Sequence, residues 1–197
     1  MAIEIIKLYR IRLQERKTDV LAQTMTECYK RLANKKNLVN QIKMDADTLG
    51  LQKILCIDRY RGGGFGLGLI KGLNIERGAL ATSVSHDAHN IIAAGATDAE
   101  ILEAVKAVAD AGGGMAVVAD GKTTVLPLPA GGLMTQKPYE EVCSEMEVLH
   151  AALANTGADE KAFMSLSFMA LTVVPHLKIT PRGLFDGDAF CDVDIRC

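Results

Sequence analysis

The chain has 197 residues, of which 49% are hydrophobic and 23% are charged, and its formal net charge is −2. These values are typical of an ordinary soluble globular protein that is long enough to bury one sizeable core. Because the net charge is close to zero, we do not expect nucleic acid or an anionic membrane as a partner.

The cysteines indicate the cellular compartment. Five are scattered along the chain, and no two of them form a Cys-x-x-Cys pair. An odd number without metal-type spacing favours a reduced, cytoplasmic location over a disulfide framework or a zinc site. We find no signal peptide and no apolar run long enough to cross a bilayer, which again indicates a cytoplasmic protein without a membrane partner.

The first 36 residues predict a strand followed by a helix. Residues 3–13 alternate loosely between apolar and polar side chains, and Thr18-Asp19 then provides a helix start. Apolar residues follow at helical spacing as far as Asn34. Lysine and arginine concentrate in the first 43 residues, and we interpret them as a solvated face.

Short strands are predicted from residue 51 onward. Leu51–Ile57 is rich in residues of the buried type, and Ala79–Val84 and Ile91–Ala94 are two further apolar segments. Asp120-Gly121 lies between two more apolar segments and predicts a tight hairpin. Towards the C-terminus, prolines and glycines leave room only for a short strand near residues 190–195.

Two helices are predicted between these strands. The first is capped by Thr97-Asp98 and runs to about Ala111, where three glycines suit a left-handed end. The second begins at Pro138 and runs to about Leu153. Since strands and helices mix without a regular βαβ rhythm, we predict one α/β or α+β domain. It would have a single mixed β-sheet with flanking helices.

The glycine-rich segment 61–72 suggests a phosphate-binding loop at first sight. However, neither Gly-x-Gly-x-x-Gly nor a terminal Gly-Lys-Ser/Thr can be placed on it. We therefore expect these glycines to allow a sharp turn or a close approach to another element.

A dense polar cluster lies between the apolar segments 79–84 and 91–94. Its members are Ser83, Ser85, His86, Asp87, His89 and Asn90. Interior polar groups must be paired, because an unpaired one is costly to bury. The cluster therefore pairs with itself, with a partner or with a ligand, and it is our candidate site.

The cluster is open to several interpretations. His86 and His89 would share a face on a helix, as metal ligands do, but the flanking sequence favours strand and turn, and further ligands are missing. A triad of Ser83 or Ser85 with His86 and Asp87 is disfavoured, because such close neighbours rarely reach the required geometry. The segment can instead be a hydrogen-bonded polar turn. It can also be a substrate-facing loop that holds a planar heterocycle through imidazole, carboxylate and amide groups.

The segment Arg77–Asn90 resembles the hallmark segment of the bacterial adenine deaminases, in the part that follows their catalytic barrel. Further similar segments follow in the same order along the chain. They are Ala111–Val118, Asp120–Lys122, Leu126–Met134, Phe163–Leu171 and Leu177–Leu184. The resemblance covers about residues 37–197 and leaves residues 1–36 as an unassigned extension.

The resemblance implies a hydrolase of the amidohydrolase superfamily, active in purine salvage, which converts adenine and water to hypoxanthine and ammonia. In that family iron, manganese or zinc is held in a (β/α)₈ barrel by ligands that begin with a His-x-His pair. This sequence has no His-x-His pair and is too short for a barrel of roughly 250 residues plus this domain. We therefore expect neither a barrel, nor a metal, nor catalytic residues in this chain.

Two functions remain open at this point. The resemblance implies an adenine deaminase C-terminal domain that is inactive without a separate amidohydrolase barrel. From the polar density of the segment we hypothesise that it shapes the adenine site. The residues expected towards the substrate are Ser83, Ser85, His86, Asp87, His89 and Asn90. The alternative is a stand-alone module that binds a purine or a related heterocycle without catalysis. Because a face that normally docks on the barrel would be exposed, we also expect a homo-oligomer.

Overall fold

The structure of the protein is a computed structural model that describes residues 50–60 and 64–193. The strand and helix predicted for the first 36 residues lie outside the described residues, so the boundary between 36 and 37 stays a prediction. None of the described helices is both long enough and apolar enough to span a membrane.

A six-stranded antiparallel sheet forms the centre of the described part. Its strands are β1 (Leu51–Ile57), β2 (Phe65–Lys71), β3 (Ala79–Thr82), β4 (Ile91–Gly95), β5 (Gly114–Ala119) and β6 (Lys122–Pro127). They are arranged in the order β2-β1-β4-β3-β5-β6, and each neighbouring pair is antiparallel. The candidate segment 83–90 connects the two central strands, β3 and β4.

Three helices accompany this sheet. They are α1 (Asp98–Asp110), α2 (Tyr139–Ala154) and α3 (Ala162–Phe168). The first two confirm the predicted helices: Thr97 accepts the Glu100 backbone N–H at the start of α1, and Gly112 follows its end with φ of 75°. The third lies in the apolar run 163–171, for which the sequence indicated no element type.

Helices cover both faces of the central strands, which explains why Thr82 is the one polar residue in β3 and β4. Every residue of β3 and β4 is buried. The buried side of α1 carries alanine, valine and isoleucine and packs on β3, β4 and β5. On the other face, Leu80 and Ile92 belong to a cluster with Leu149 of α2 and Leu166 of α3. The candidate segment therefore leaves and re-enters the most buried part of the fold.

A second, three-stranded antiparallel sheet follows α3. It contains β7 (Leu177–Thr180), β8 (Gly183–Asp186) and β9 (Cys191–Val193), in that order. The short C-terminal strand is confirmed for its described residues as β9. The sequence missed β7 and β8, because Pro181 and Gly183 suggested a break there. Pro181 occupies the two-residue turn between these strands, where a missing N–H breaks no ladder hydrogen bond.

The predicted fold class is confirmed, and the α+β form is the one found, without a barrel in the described part. The strand pairs are antiparallel, however, where the sequence suggested a mixed sheet. Short connections join β1 to β2 and β5 to β6, which antiparallel pairing allows. The helical crossover β4-α1-β5 does join two parallel strands, but β3 lies between them, so they do not pair with each other.

The glycine-rich segment brings the two sheets together. A Cβ atom on Gly66 of β2 would lie 2.1 Å from the backbone oxygen of Thr180 and 2.9 Å from the backbone nitrogen of Gly183. Only glycine leaves room for this approach. The expectation that glycines of segment 61–72 allow a close approach to another element is met here. The contact places the turn after β7 beside the main sheet, where it borders the candidate site.

Candidate functional site

The segment between β3 and β4 folds as a tight turn beside a pocket of about 130 Å³. The turn is closed by the backbone N–H of His89, which donates to the carbonyl of Ser85 at 2.7 Å. One wall of the pocket is this turn, and the other is the chain from α3 to the end of β7. The lining residues are Cys56, Ser85, His86, Asp87, Ala88, His89, Asn90, Ala170, Thr172, Ile179, Thr180 and Pro181.

Ser83 is the one predicted site residue that does not line the pocket. It is fully buried, and its hydroxyl donates to the Gly132 carbonyl at 2.6 Å and accepts the Gly114 backbone N–H at 2.8 Å. These bonds fasten the end of β3 to β5 and to the loop after β6. Ser83 therefore holds the site in place from behind the pocket.

Ser85 and His89 each carry a buried polar side-chain atom without a hydrogen-bond partner. Ser85 is 1% exposed, and its Oγ has no hydrogen-bond partner. The Nδ1 atom of His89 is also buried without a partner. Buried polar atoms in folded proteins are nearly always hydrogen-bonded. Among the described residues, Gln52 Oε1 and Glu145 Oε2 are buried without a partner as well, so this feature is not confined to the turn.

His86 and Asp87 form the outer rim of the turn and are exposed to solvent. The His86 ring lies 5.4 Å from the Phe168 ring and 6.0 Å from the His89 ring, measured between centroids. Its backbone N–H donates to Ser167 Oγ at 3.3 Å. The rim thus combines an imidazole, a carboxylate and an aromatic ring at the mouth of the pocket.

Arg59 fastens the turn from the side of β1. Its Nε donates to the carbonyl of His89, and its Nη2 donates to the carbonyl of Gly131 at 2.6 Å. Its backbone N–H donates to Asn90 Oδ1 at 3.4 Å. Arg59 therefore makes two hydrogen bonds to the turn and a third to the loop after β6. The sequence offered no signal for this, because Arg59 lies 30 residues from His89.

Cys56 also lines the pocket, but its thiol is unreactive. Burial, and secondly the charge of Asp58, raises the pKa of the Cys56 thiol to about 12. At neutral pH the thiol keeps its proton, so it is a poor nucleophile.

The described residues do not fit a metal centre. Among them, no group of three or more His, Cys, Asp and Glu side chains is placed so that it could hold an ion. Ser85 also lacks the hydrogen-bonded base that would activate its hydroxyl. We therefore derive no metal-dependent or nucleophilic step from these residues.

Sequence reasoning found the turn and missed the opposite wall of the pocket. Ala170, Thr172 and residues 179–181 reach the pocket only through the packing of the second sheet on the first. Two of the segments that carry the resemblance, 163–171 and 177–184, contribute residues to this wall. Membership in those segments was the sequence feature that could have indicated these residues.

The described residues thus form an antiparallel α+β domain in which the turn between β3 and β4 borders a small pocket. The family model for the adenine deaminase C-terminal domain matches residues 23–191, and the chain belongs to this family. The resemblance seen in the sequence is thereby confirmed.

Curated relatives share this part of the chain at high identity. An adenine deaminase of Methanoculleus marisnigri is 48% identical over 152 residues, which cover 77% of this chain and 29% of that protein. An adenine deaminase of Methanoregula boonei is 49% identical over 145 residues, covering 74% and 26%. One of Desulfatibacillum aliphaticivorans is 50% identical over 141 residues, covering 70% and 25%. The match thus spans only 25 to 29% of the length of these relatives.

Proposed function

We propose that this chain is the substrate-shaping part of an adenine deaminase and that it is inactive without a separate catalytic barrel. In this role the turn 85–90 faces a purine base, while Ser83 secures the turn to the fold. The observation that supports the proposal is the pocket itself. At about 130 Å³ it is smaller than the roughly 300–1,000 Å³ of complete ligand sites, so it suits one side of a shared site.

The chemistry of the turn suits a base that is bound and not transformed here. Imidazole, carboxylate, hydroxyl and amide groups can pair with the ring nitrogens and the exocyclic group of adenine. The iron, manganese or zinc that hydrolysis would require belongs, in this proposal, to the barrel. We further propose a cytoplasmic location, since Cys56, Cys143 and Cys191 are free thiols.

An activity assay with matched metal analysis tests this function. The purified chain, supplied with adenine and with manganese or iron, is expected to release no hypoxanthine or ammonia and to retain no stoichiometric metal. Turnover with bound metal would contradict the proposal, because the deaminase centre would then lie within this chain.

A second assay tests the role of the turn in a complete enzyme. In the full-length Methanoculleus marisnigri adenine deaminase, alanine at the positions that match His86 and Asp87 is expected to raise KM for adenine or lower kcat. Alanine at the position that matches His150, on the exposed side of α2, serves as the control. Unchanged constants in the turn variants would refute a substrate role.

A stand-alone purine-binding module is the second candidate, and the closed core supports it. Both central strands are fully buried within the described part, so the sheet needs no barrel to cover it. Tight binding of adenine by the isolated chain in calorimetry, without turnover, would favour this module over the accessory domain.

A further inference from the structure

We infer that Arg59 is the positioning residue of the candidate site, because its guanidinium group joins the turn 85–90 to residues 130–134, a segment that we call the glycine loop. The inference rests on the proposed function and extends it to a segment that does not line the pocket. The conformation of the turn that faces the base then depends on the position of the glycine loop.

The guanidinium group contacts both segments through backbone carbonyls. Its Nε donates to the carbonyl of His89 in the turn, and its Nη2 donates to the carbonyl of Gly131 at 2.6 Å. The Tyr60 ring lies against the same group, with its centroid 4.6 Å from Arg59 Cζ, and the Tyr60 hydroxyl accepts Nη2 at 2.9 Å. Hydrogen bonds from an ionised donor are roughly twice as strong as neutral ones. One planar group therefore fixes two segments that lie far apart in the sequence.

Gly132 shows how closely the glycine loop approaches Arg59. A Cβ atom on Gly132 would lie 2.3 Å from Arg59 Nη1 and 2.8 Å from Cζ, and its three nearest atoms all belong to Arg59. A side chain at position 132 would therefore displace the guanidinium group from its carbonyl partners. The loop is also held from behind, because the Gly132 carbonyl accepts the Ser83 hydroxyl at 2.6 Å. Its Cα would lie 2.2 Å from a Cβ atom on Gly113.

This arrangement gives a role to two segments that carry the resemblance but do not line the pocket. Leu126–Met134 supplies the glycine loop, and Ala111–Val118 supplies Gly113 behind it. Arg59 itself follows β1, which pairs with β4, and β4 begins directly after the turn. The guanidinium group is therefore anchored beside the central strands and can hold the turn in a constant position relative to them.

A matched pair of glycine substitutions tests the coupling between the loop and the turn. Gly132 and Gly121 have φ of 79° and 71°, so alanine strains the backbone similarly at both positions. A Cβ atom on Gly121 would meet nothing within 4 Å, whereas one on Gly132 would meet Arg59. We expect Gly132→Ala to raise the amide hydrogen-exchange rate of His89 about tenfold, the scale of one lost hydrogen bond to a charged group. Gly121→Ala should leave this rate unchanged.

A core amide separates a local effect on the turn from a loss of overall stability. Leu80 lies in the fully buried strand β3, and its amide exchanges only when much of the fold opens. A merely structural residue would raise the exchange rates of Leu80 and His89 by the same factor. Arg59→Ala should raise the His89 rate about tenfold more than the Leu80 rate. Arg59→Lys should do the same, because an ammonium group lacks the planar fork that reaches two carbonyls.

The double variant Arg59→Ala, Gly132→Ala decides whether the two residues act through each other. Without the guanidinium group the added methyl group has nothing to displace, so His89 should exchange no faster than in Arg59→Ala alone. Additive effects of the two changes would overturn the inference. A His89 rate in Gly132→Ala equal to that in Gly121→Ala would overturn it as well.

Arg59→Lys tests the same hydrogen bonds without adding an atom to a crowded position, so it decides the question even if Gly132→Ala does not fold. A His89 exchange rate in Arg59→Lys equal to that of the original chain would overturn the inference. These measurements need no ligand, so they can fail while the proposed function stands. Unchanged catalytic constants in the turn variants of the full-length enzyme would refute the proposed function and leave the coupling between loop and turn intact.

Discussion

Two serines separated by one residue have opposite surroundings. The Ser83 hydroxyl bonds both Gly132 and Gly114, while the Ser85 hydroxyl bonds nothing. Ser83→Ala is expected to lower the free energy of unfolding by about 1–3 kcal/mol, because it leaves a buried carbonyl and a buried N–H without their partner. Urea denaturation measures the change, with Ser165→Ala as the exposed control, expected within about 0.5 kcal/mol of the original chain. A Ser83→Ala variant as stable as this control would show that the two bonds contribute nothing.

Cys56 gives the stability a dependence on alkaline pH. Its pKa is raised from the ordinary 9.0 to about 12, with burial as the main cause. The unfolded thiol loses its proton near pH 9, whereas the folded thiol keeps it, so its contribution to stability is present below that pH and decreases as the pH rises towards 12. The decrease is at most about 1.4 kcal/mol per pH unit.

Chemical denaturation at several pH values between about 8 and 10.5 measures this effect as a difference between variants. Cys56→Ala should flatten the alkaline slope, although it also leaves a small cavity that lowers stability at every pH. Cys191→Ala, at an exposed position, should leave the slope unchanged. Equal slopes in the original chain and in Cys56→Ala would mean that the buried thiol titrates normally.

At the residue scale the sequence predicted a polar turn between two strands but not the contacts of each side chain. The structure has that turn between β3 and β4, while its role as a substrate site stays a prediction. The sequence could not separate Ser83 from Ser85, because their difference comes from Gly114 and Gly132, which are distant in the sequence. Arg59 was missed for the same reason.

Among the elements, β2 has the strictest packing requirement. Its Gly66 lies against the turn after β7, so Gly66→Ala would force Thr180 away from the main sheet. We expect the variant to lose roughly 1–3 kcal/mol of stability, as overpacked sites do, and to show NMR shift changes at the pocket wall, Ile179 and Thr180.

Gly68→Ala is the matched control on the same strand. The added methyl group would lie 3.1 Å from Leu184 Cδ2 and 3.3 Å from Ile54 Cγ2, which are side-chain ends that can move. It should therefore cost less and leave the pocket wall in place. Similar losses in both variants would indicate that β2 tolerates no side chain anywhere, and that the contact with Thr180 is not special.

Elements with local signals were predicted well, and elements defined by distant contacts were not. The hairpin at Asp120-Gly121 was readable because both residues adopt positive φ there, 52° and 71°, which Asp-Gly favours. Thr97 also gave a local signal, because threonine is a favoured cap at the start of a helix such as α1. The insertion of β3 between β4 and β5 has no local signal, and this insertion is why a sheet with a helical crossover still pairs antiparallel throughout its described strands.

At the scale of the whole molecule, an apolar surface adjoins the pocket. Phe168 contacts His86 at the rim. Val173, between α3 and β7, is 71% exposed, and Leu177, the first residue of β7, is 52% exposed. A group of exposed apolar side chains beside a site is typical of a surface that contacts another protein. In the assembled enzyme that we propose, a barrel would cover this surface. In the isolated chain we expect a second copy to cover it.

The double variant Val173→Ser, Leu177→Ser tests this expectation by light scattering after size-exclusion chromatography. The original chain should elute with a mass above its 21.1 kDa, and the variant should approach that mass, because each serine removes apolar area from the contact. Val148→Ser, at a valine on α2 that is 56% exposed, should leave the mass unchanged. If the original chain is already a monomer, self-association is wrong. If the double variant keeps the larger mass, the copies meet elsewhere and the surface beside the pocket is free to receive a barrel.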